Sequence, residues 1–335
     1  TGTDSYHRIT GITGTKQIKE DNNIMIKSLD ILPQYVQNLK RLIIYRNFRL
    51  TNVQHLLNCN LTELHLFSCH SITNESFRKI SEICTKLKVL SLQTQEMKGS
   101  SLLDIVKNCT ELVFLDVGSC IDLSVDEISK IWTWVPRLKY LSLRHFATND
   151  TYENFTPIIK SIAKGCKKLT AINLERSHVS DSDILILKTF PNLKSLNIRC
   201  CESIFDQGLI NVSKLIHLTE ILIGYNSVTD QEIDLITKMC KKLKLFDISH
   251  SDLVTDKGIQ SIIENAPQIE ILNIYKCTDL NIDTDILNLL KTYLNLKILC
   301  ISWYFENWFS EKLYPFVTYD ESIFERSHYT YFCSK

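Results

Sequence analysis

Hydrophobic positions along the chain recur in one short motif. The arrangement Leu-x-x-Leu-x-Leu, with Ile, Val or Phe substituting, opens at Leu39, Leu61, Leu87, Leu112, Leu138, Leu169, Leu193, Leu218, Leu243, Ile269 and Leu296. Seven of the ten intervals between these residues are 24 to 26 residues long, so the motif marks a structural period. Alternation such as Leu64-His65-Leu66 has the period of a short strand buried on one face. A turn follows, then a hydroxyl residue ahead of a helical pattern, as in Ile72-Thr73-Asn74, Val179-Ser180-Asp181, Val228-Thr229-Asp230 and Val254-Thr255-Asp256. These hydroxyls are predicted N-caps, and Ser124 with Glu127 and Thr229 with Glu232 have the spacing of capping boxes. The helix after Thr255 is predicted to carry Ile259, Ile262 and Ile263 on one side.

Neither the strand nor the helix of one unit can bury its apolar face alone, and stacking the units solves this by forming a continuous core. The predicted fold is therefore an α/β solenoid, a right-handed β/α horseshoe of about 11 repeats of about 26 residues, with strands on the concave side and helices outside. The solenoid is predicted over residues 32–302. Residues 1–31, with Ile9, Ile12, Ile18, Ile24, Ile26 and Leu29, read as an N-terminal cap or degenerate repeat. Residues 303–335 hold 12 of the 31 aromatic residues and read as a C-terminal cap or tail, part of it folding back along the concave face. The long interval from Leu138 to Leu169 places an extra polar loop at 147–155.

Composition narrows the function. Lysine plus arginine and aspartate plus glutamate both total 38, with no long run of one sign, so neither nucleic acid nor an anionic membrane is expected as the main partner. No stretch of about 18 apolar residues supports a membrane-spanning helix. The chain begins at Thr1 without a basic and apolar leader, which suggests a processed or excised piece.

Eight of the 12 cysteines follow the repeat: Cys69, Cys120, Cys201 and Cys277 occupy the ninth position, and Cys84, Cys109, Cys166 and Cys240 lie three residues before the next opening leucine. Such phasing predicts small, buried packing residues. There is no Cys-x-x-Cys pair, and the cluster of His65, Cys69 and His70 lacks a fourth ligand, so no metal is expected. Many cysteines without a disulfide scaffold suit the cytoplasm or nucleus, against which six Asn-x-Ser/Thr sequons weigh weakly. The phosphate-loop, nucleophile-elbow and metalloprotease-helix motifs are all missing from the sequence. The expectation is a non-catalytic binding module that needs no cofactor.

The ninth position also holds Ser177, Ser251, Asn47 and Asn226. This pattern resembles the cysteine-containing repeat of F-box leucine-rich-repeat proteins, the substrate receptors of cullin-type ubiquitin ligases, and of the related antagonist of the mitotic exit network. The resemblance implies a substrate-recognition subunit that holds a protein on its concave face, with a ligase adaptor and cullin as further partners if an F-box precedes Thr1. No F-box is recognisable in residues 1–39, although Leu32-Pro33 resembles its opening. A free-standing scaffold or inhibitor, and the sensor portion of an immune or GTPase-regulating protein, are the alternatives.

Side chains that alternate with the strand leucines should face the concave surface. Among them Arg41, Tyr45, His65, Phe67, Phe114, Tyr140, Arg144 and Arg199 are large, and aromatic and arginine side chains are over-represented among residues that dominate binding energy. These eight are the candidate partner-binding residues. Glu175, Glu220 and Asp247 form a weaker acidic candidate region.

Overall fold

The computed structural model describes residues 39–45, 47, 50–92, 97–120, 124–146, 155–280, 288–290, 292, 295–301 and 317–318. The predicted cap at 1–31, the loop at 147–154 and most of the tail at 303–335 lie outside the described residues. The chain divides into two compact units, Thr1–Leu169 and Thr170–Lys335. Each is an α/β leucine-rich-repeat solenoid.

In the first unit the strands are β1 (Arg41–Tyr45), β2 (Glu63–Phe67), β3 (Val89–Ser91), β4 (Phe114–Asp116) and β5 (Tyr140–Ser142). They pair in parallel and in sequence order, with Arg41, Glu63, Val89, Phe114 and Tyr140 in line. Helices α1 (Asn74–Ile83), α2 (Gly99–Asn108), α3 (Val125–Ser129) and α4 (Thr156–Gly165) follow β2 to β5 in turn, with a 3-10 turn at Trp132–Trp134.

The second unit contains β6 (Ala171–Asn173), β7 (Ser195–Asn197), β8 (Glu220–Leu222), β9 (Leu245–Asp247), β10 (Ile271–Asn273), β11 (Ile298–Cys300) and β12 (Val317–Thr318). These also pair in parallel in sequence order. Helices α5 (Asp181–Ile186), α6 (Asp206–Val212), α7 (Asp230–Met239) and α8 (Asp256–Asn265) follow β6 to β9. Strand β12 lies inside the segment read as a tail, and it sets Val317 opposite Leu299 as a further rung of the ladder. It was invisible in sequence because two residues are too few to show a period.

The motif leucines form the core. Leu61, Leu64, Leu66, Leu87, Leu90, Leu92, Leu112 and Leu115 are fully buried, as are Phe77 and Ile80 on the inward face of α1. Each such side chain contributes roughly 1.5 to 3 kcal/mol by leaving water, set against the entropy of ordering a short strand. Ile259, Ile262 and Ile263 are buried together on α8, as their spacing predicts.

The helices start where their caps stand. Thr73 accepts from the Ser76 N–H and Thr255 from the Lys257 N–H, and both predicted capping boxes, Ser124 with Glu127 and Thr229 with Glu232, are formed. A second tie links three helix starts to the next repeat. Asn74 Oδ1 accepts from the Lys98 N–H at 3.1 Å, and Asp181 Oδ1 accepts from the Phe205 N–H at 2.9 Å. Asp230 takes both the N–H and the hydroxyl of Thr255, at 2.9 and 2.6 Å. At the two aspartates the approach requires glycine beside it, because a Cβ on Gly208 or Gly258 would sit 2.3 or 2.6 Å from the bonded carboxylate oxygen. This tie also explains why Phe205 can stand at an N-cap without a capping side chain.

Because Leu115 has no exposed surface at the centre of β4, Leu115→Ala is expected to cost about 2 to 5 kcal/mol in equilibrium denaturant unfolding. A cost near zero would mean that the register of β4 is wrong.

Candidate protein-interaction face

A strand of three residues ends abruptly, and how its polar groups are satisfied decides where the face's side chains sit. Counting from the opening leucine, the fifth position is Asp or Asn in five repeats. The carboxylate or amide oxygens of Asp116, Asn173, Asn197, Asp247 and Asn273 each accept, at 3.0 Å, the backbone N–H two residues on. This local turn ends the strand without leaving a donor unpaired. Sequence reasoning treated Asp247 as an acidic contact, whereas its oxygens serve the backbone and Arg199. The recurrence of Asp or Asn five residues into the motif is the signal that would have revealed this.

The eighth position then adopts a left-handed backbone in every repeat where it is described: Ser68, Ser119, His145, Arg176, Cys200, Tyr225, His250 and Lys276 have φ between 52° and 60°. None of these is glycine, so each carries a steric cost of order 1 kcal/mol. The turn offsets it by aiming the N–H at the following repeat. Tyr225 donates to the Ser249 carbonyl at 2.8 Å, and His250 to that of Tyr275 at 2.8 Å.

The ninth position reaches back the other way. The thiols of Cys120, Cys201 and Cys277 donate to the carbonyls of Leu92, Leu174 and Ile248 at 2.9, 3.1 and 3.2 Å. Asn226 fills the same role by donating to Ile198 at 2.9 Å, and its oxygen accepts from the Cys201 N–H. Burial pushes the thiols of Cys84, Cys109, Cys166, Cys201, Cys240 and Cys277 up to about 12. They stay protonated and able to donate. No group of three His, Cys, Asp or Glu residues among the described residues could hold a metal ion. No described helix is long and apolar enough to cross a membrane.

On this frame the predicted contact residues fall into separate groups. In the first unit Arg41 pairs with Glu63, and His65 stacks on Phe67 at 5.5 Å between ring centroids. Arg41 is exposed, Phe67 half-buried and His65 buried. Burial lowers the His65 pKa below 6.5, opposed by Glu63 and Asp116 and aided by Arg41. Two strands on, Phe114 and Tyr140 stack face to face at 4.2 Å and are only 6% and 8% exposed. Arg144 is half-buried, and Tyr45 lies at the end of β1.

Arg199 belongs to the second unit, where it is buried. Its guanidinium meets Asp247 at 3.2 Å and Ser249 at 3.3 Å, and lies 5.3 Å over the Tyr225 ring. Tyr225, 42% exposed, stacks on His250 at 3.7 Å, and His250 leans on Tyr275 at 5.5 Å. Tyr225 and His250 were missed from sequence because they occupy the turn, outside the strand alternation used to select candidates.

Comparison with known proteins matches this geometry. Residues 57–81 and 191–213 match the family model described as Leucine Rich repeat. The chain is 25% identical over 195 residues to F-box/LRR-repeat protein 4 of Bos taurus, covering 55% of this chain and 26% of that protein. It is 23% identical over 217 residues to the F-box protein SKIP17 of Arabidopsis thaliana, covering 62% of this chain and 36% of that protein. The chain carries cysteine-containing leucine-rich repeats and is similar in sequence to F-box/LRR-repeat proteins. It spans about a quarter to a third of the length of these two relatives. Among solved structures, an internalin from Listeria monocytogenes shares the fold at TM-score 0.51 and 18% identity, covering 83% of this chain and 88% of that one. The yeast Rad7 and Elc1 complex does so at TM-score 0.50 and 15% identity, covering 89% and 88%.

Two consequences of this repeat geometry are measurable. A thiol whose pKa is raised on folding supplies stability that is complete below its unfolded value near 8.5 and is lost as pH rises toward about 12. Unfolding free energy is therefore expected to fall above about pH 9, and Cys109→Ser with Cys240→Ser, which cannot ionise, should flatten the decline. An unchanged slope would contradict the raised values. Separately, Arg199→Ala removes the cation facing fully buried Asp247 and is expected to cost about 3 to 5 kcal/mol in urea unfolding, where an exposed ion pair would cost under about 1.

Proposed function

We propose that this chain is the partner-binding part of a substrate receptor of a cullin-type ubiquitin ligase, and that it holds a protein on the strand face of its repeats. The coarser statement, that it is a protein-interaction module, has the support of the repeat family and of relatives named as F-box proteins. The finer one rests on the repeat subtype, whose ninth-position cysteines are built into the ladder that orders the face.

The observation that carries the reading is a division of labour along the strands whose fifth position is Asp or Asn. There the fifth-position side chain is tied into a backbone turn, as Asp116 is in the first unit, while the third and seventh positions flank it. Third- and seventh-position residues of the first unit include exposed Arg41 and half-buried Phe67 on neighbouring strands about 4.8 Å apart, and half-buried Arg144 in the turn after β5. A partner would therefore meet side chains already fixed in place, which lowers the entropy cost of binding.

Affinity recovery of the full-length gene product from its own cells, read by mass spectrometry, tests the proposal. The expected result is a ligase adaptor and a cullin together with a substrate, and at least about tenfold less substrate with Phe67→Ala and Arg144→Ala combined. Recovery of another stable partner with neither adaptor nor cullin would replace the ligase reading with that of a free-standing scaffold or inhibitor.

A further inference from the structure

The zero net charge of the chain conceals an ordered separation of charge. Acidic residues gather where helices begin: Glu75 in α1, Asp126 and Glu127 in α3, Asp181 and Asp183 in α5, Asp206 in α6, Asp230 and Glu232 in α7, and Asp256 in α8. The helix dipole accounts for these, since negative charge is favoured at a helix N-terminus.

Basic residues gather on the opposite edge, where the chain enters alternate strands of the first unit. In the first unit the positions one and three residues before the strands hold Lys40 at β1, Lys86 and Lys88 at β3, and Arg137 and Lys139 at β5, all exposed. The single acid at these positions is Glu111 ahead of β4, which lies 3.8 Å from Lys88. Five of the six charged residues at these positions are thus cations. The helix dipole does not explain them, because its influence fades within the last turn and α1 ends at Ile83, five residues before Lys88.

We propose that this basic edge of the first unit is a second docking surface, separate from the strand face, that takes an extended acidic segment of a partner protein. The spacing supports that class of ligand. The cations stand on alternate strands, about 10 Å apart and about 20 Å end to end, given about 4.8 Å between strands. A polyproline-type segment has three residues per turn and rises about 3.1 Å per residue, so a carboxylate at every third residue recurs on one side each ~9.3 Å. Nucleic acid fits less well, since its phosphates repeat at a shorter interval and Glu111 stands among the cations. The same gap between cations hides the edge in sequence, where no run of basic residues appears.

The inference rests on the reading of the chain as a protein-interaction module, but the two fail separately, because the test below uses purified chain and peptide and needs no adaptor or cullin. The measurement is fluorescence anisotropy of a labelled (Glu-Pro-Pro)5 peptide with the whole chain at low salt, beside labelled oligo-dT of 15 nucleotides. The edge variant carries Lys86→Gln, Lys88→Gln, Arg137→Gln and Lys139→Gln. A control of equal charge carries Lys79→Gln, Lys107→Gln, Lys130→Gln and Lys160→Gln on or beside the helices.

The expected result is peptide binding that weakens at least about tenfold in the edge variant and less than about twofold in the control. The two doublets, substituted separately, should each cause part of the loss, which guards against a folding defect in the fourfold variant. No peptide binding, equal losses in both variants, or edge-dependent binding of oligo-dT that exceeds that of the peptide would each overturn the proposal.

Discussion

A strand three residues long cannot satisfy its own ends, and the structure depends on how neighbouring repeats do so. The sixth- and eighth-position N–H groups point forward into the next repeat, and the ninth-position side chain points back to a carbonyl of the preceding one. The repeats that carry Cys120, Cys201, Asn226 and Cys277 are thus tied backward by a group outside the strand, as the turn N–H groups tie repeats forward. The left-handed eighth residue makes the forward bond possible, and its steric cost is accepted in every described repeat without recourse to glycine. Thiol, hydroxyl and amide can share the ninth position because the requirement there is a small buried donor. Asn226 goes further by also accepting from the Cys201 N–H.

This arrangement determines what a partner would meet. Fifth-position Asp and Asn residues at the middle of the face are engaged with their own turns, as the fully buried Asp116, Asp247 and Asn273 are. At these repeats the flanking positions and the turn row that carries Arg176, Tyr225 and His250 would be what a partner meets. Aromatic stacking between neighbouring repeats, Phe114 on Tyr140 and Tyr225 on His250, fixes ring orientation before any partner arrives. Charge is arranged by the same geometry, with acids where helices start and lysines where strands start.

The repeat, its strands and its helix starts were legible in the sequence because each rests on a local rule: apolar period, hydroxyl cap, or acid at the third helical position. The ninth-position cysteines were legible as packing residues, and the structure adds that they are donors. The site was less legible. Alternation identified Phe114, Tyr140, His65 and Arg199 as face residues, but exposure depends on neighbours two dozen residues away, and those neighbours leave all four buried. Tyr225 and His250 escaped because a left-handed turn redirects the chain just where the strand alternation ends. The basic edge escaped because its lysines are adjacent only after the strands have aligned.

The central claim is that the interaction face is a fixed array, ordered in the free chain by bonds between repeats. Native-state amide hydrogen exchange tests it most directly at the turn residues Cys200, Tyr225 and His250, whose N–H groups lie beyond the strands. The account predicts that these amides exchange as slowly as the strand amides of Leu196, Ile221 and Phe246, opening only when the repeats come apart. Exchange at the rate of exposed loop amides would contradict it, because the face would then be ordered only by its partner.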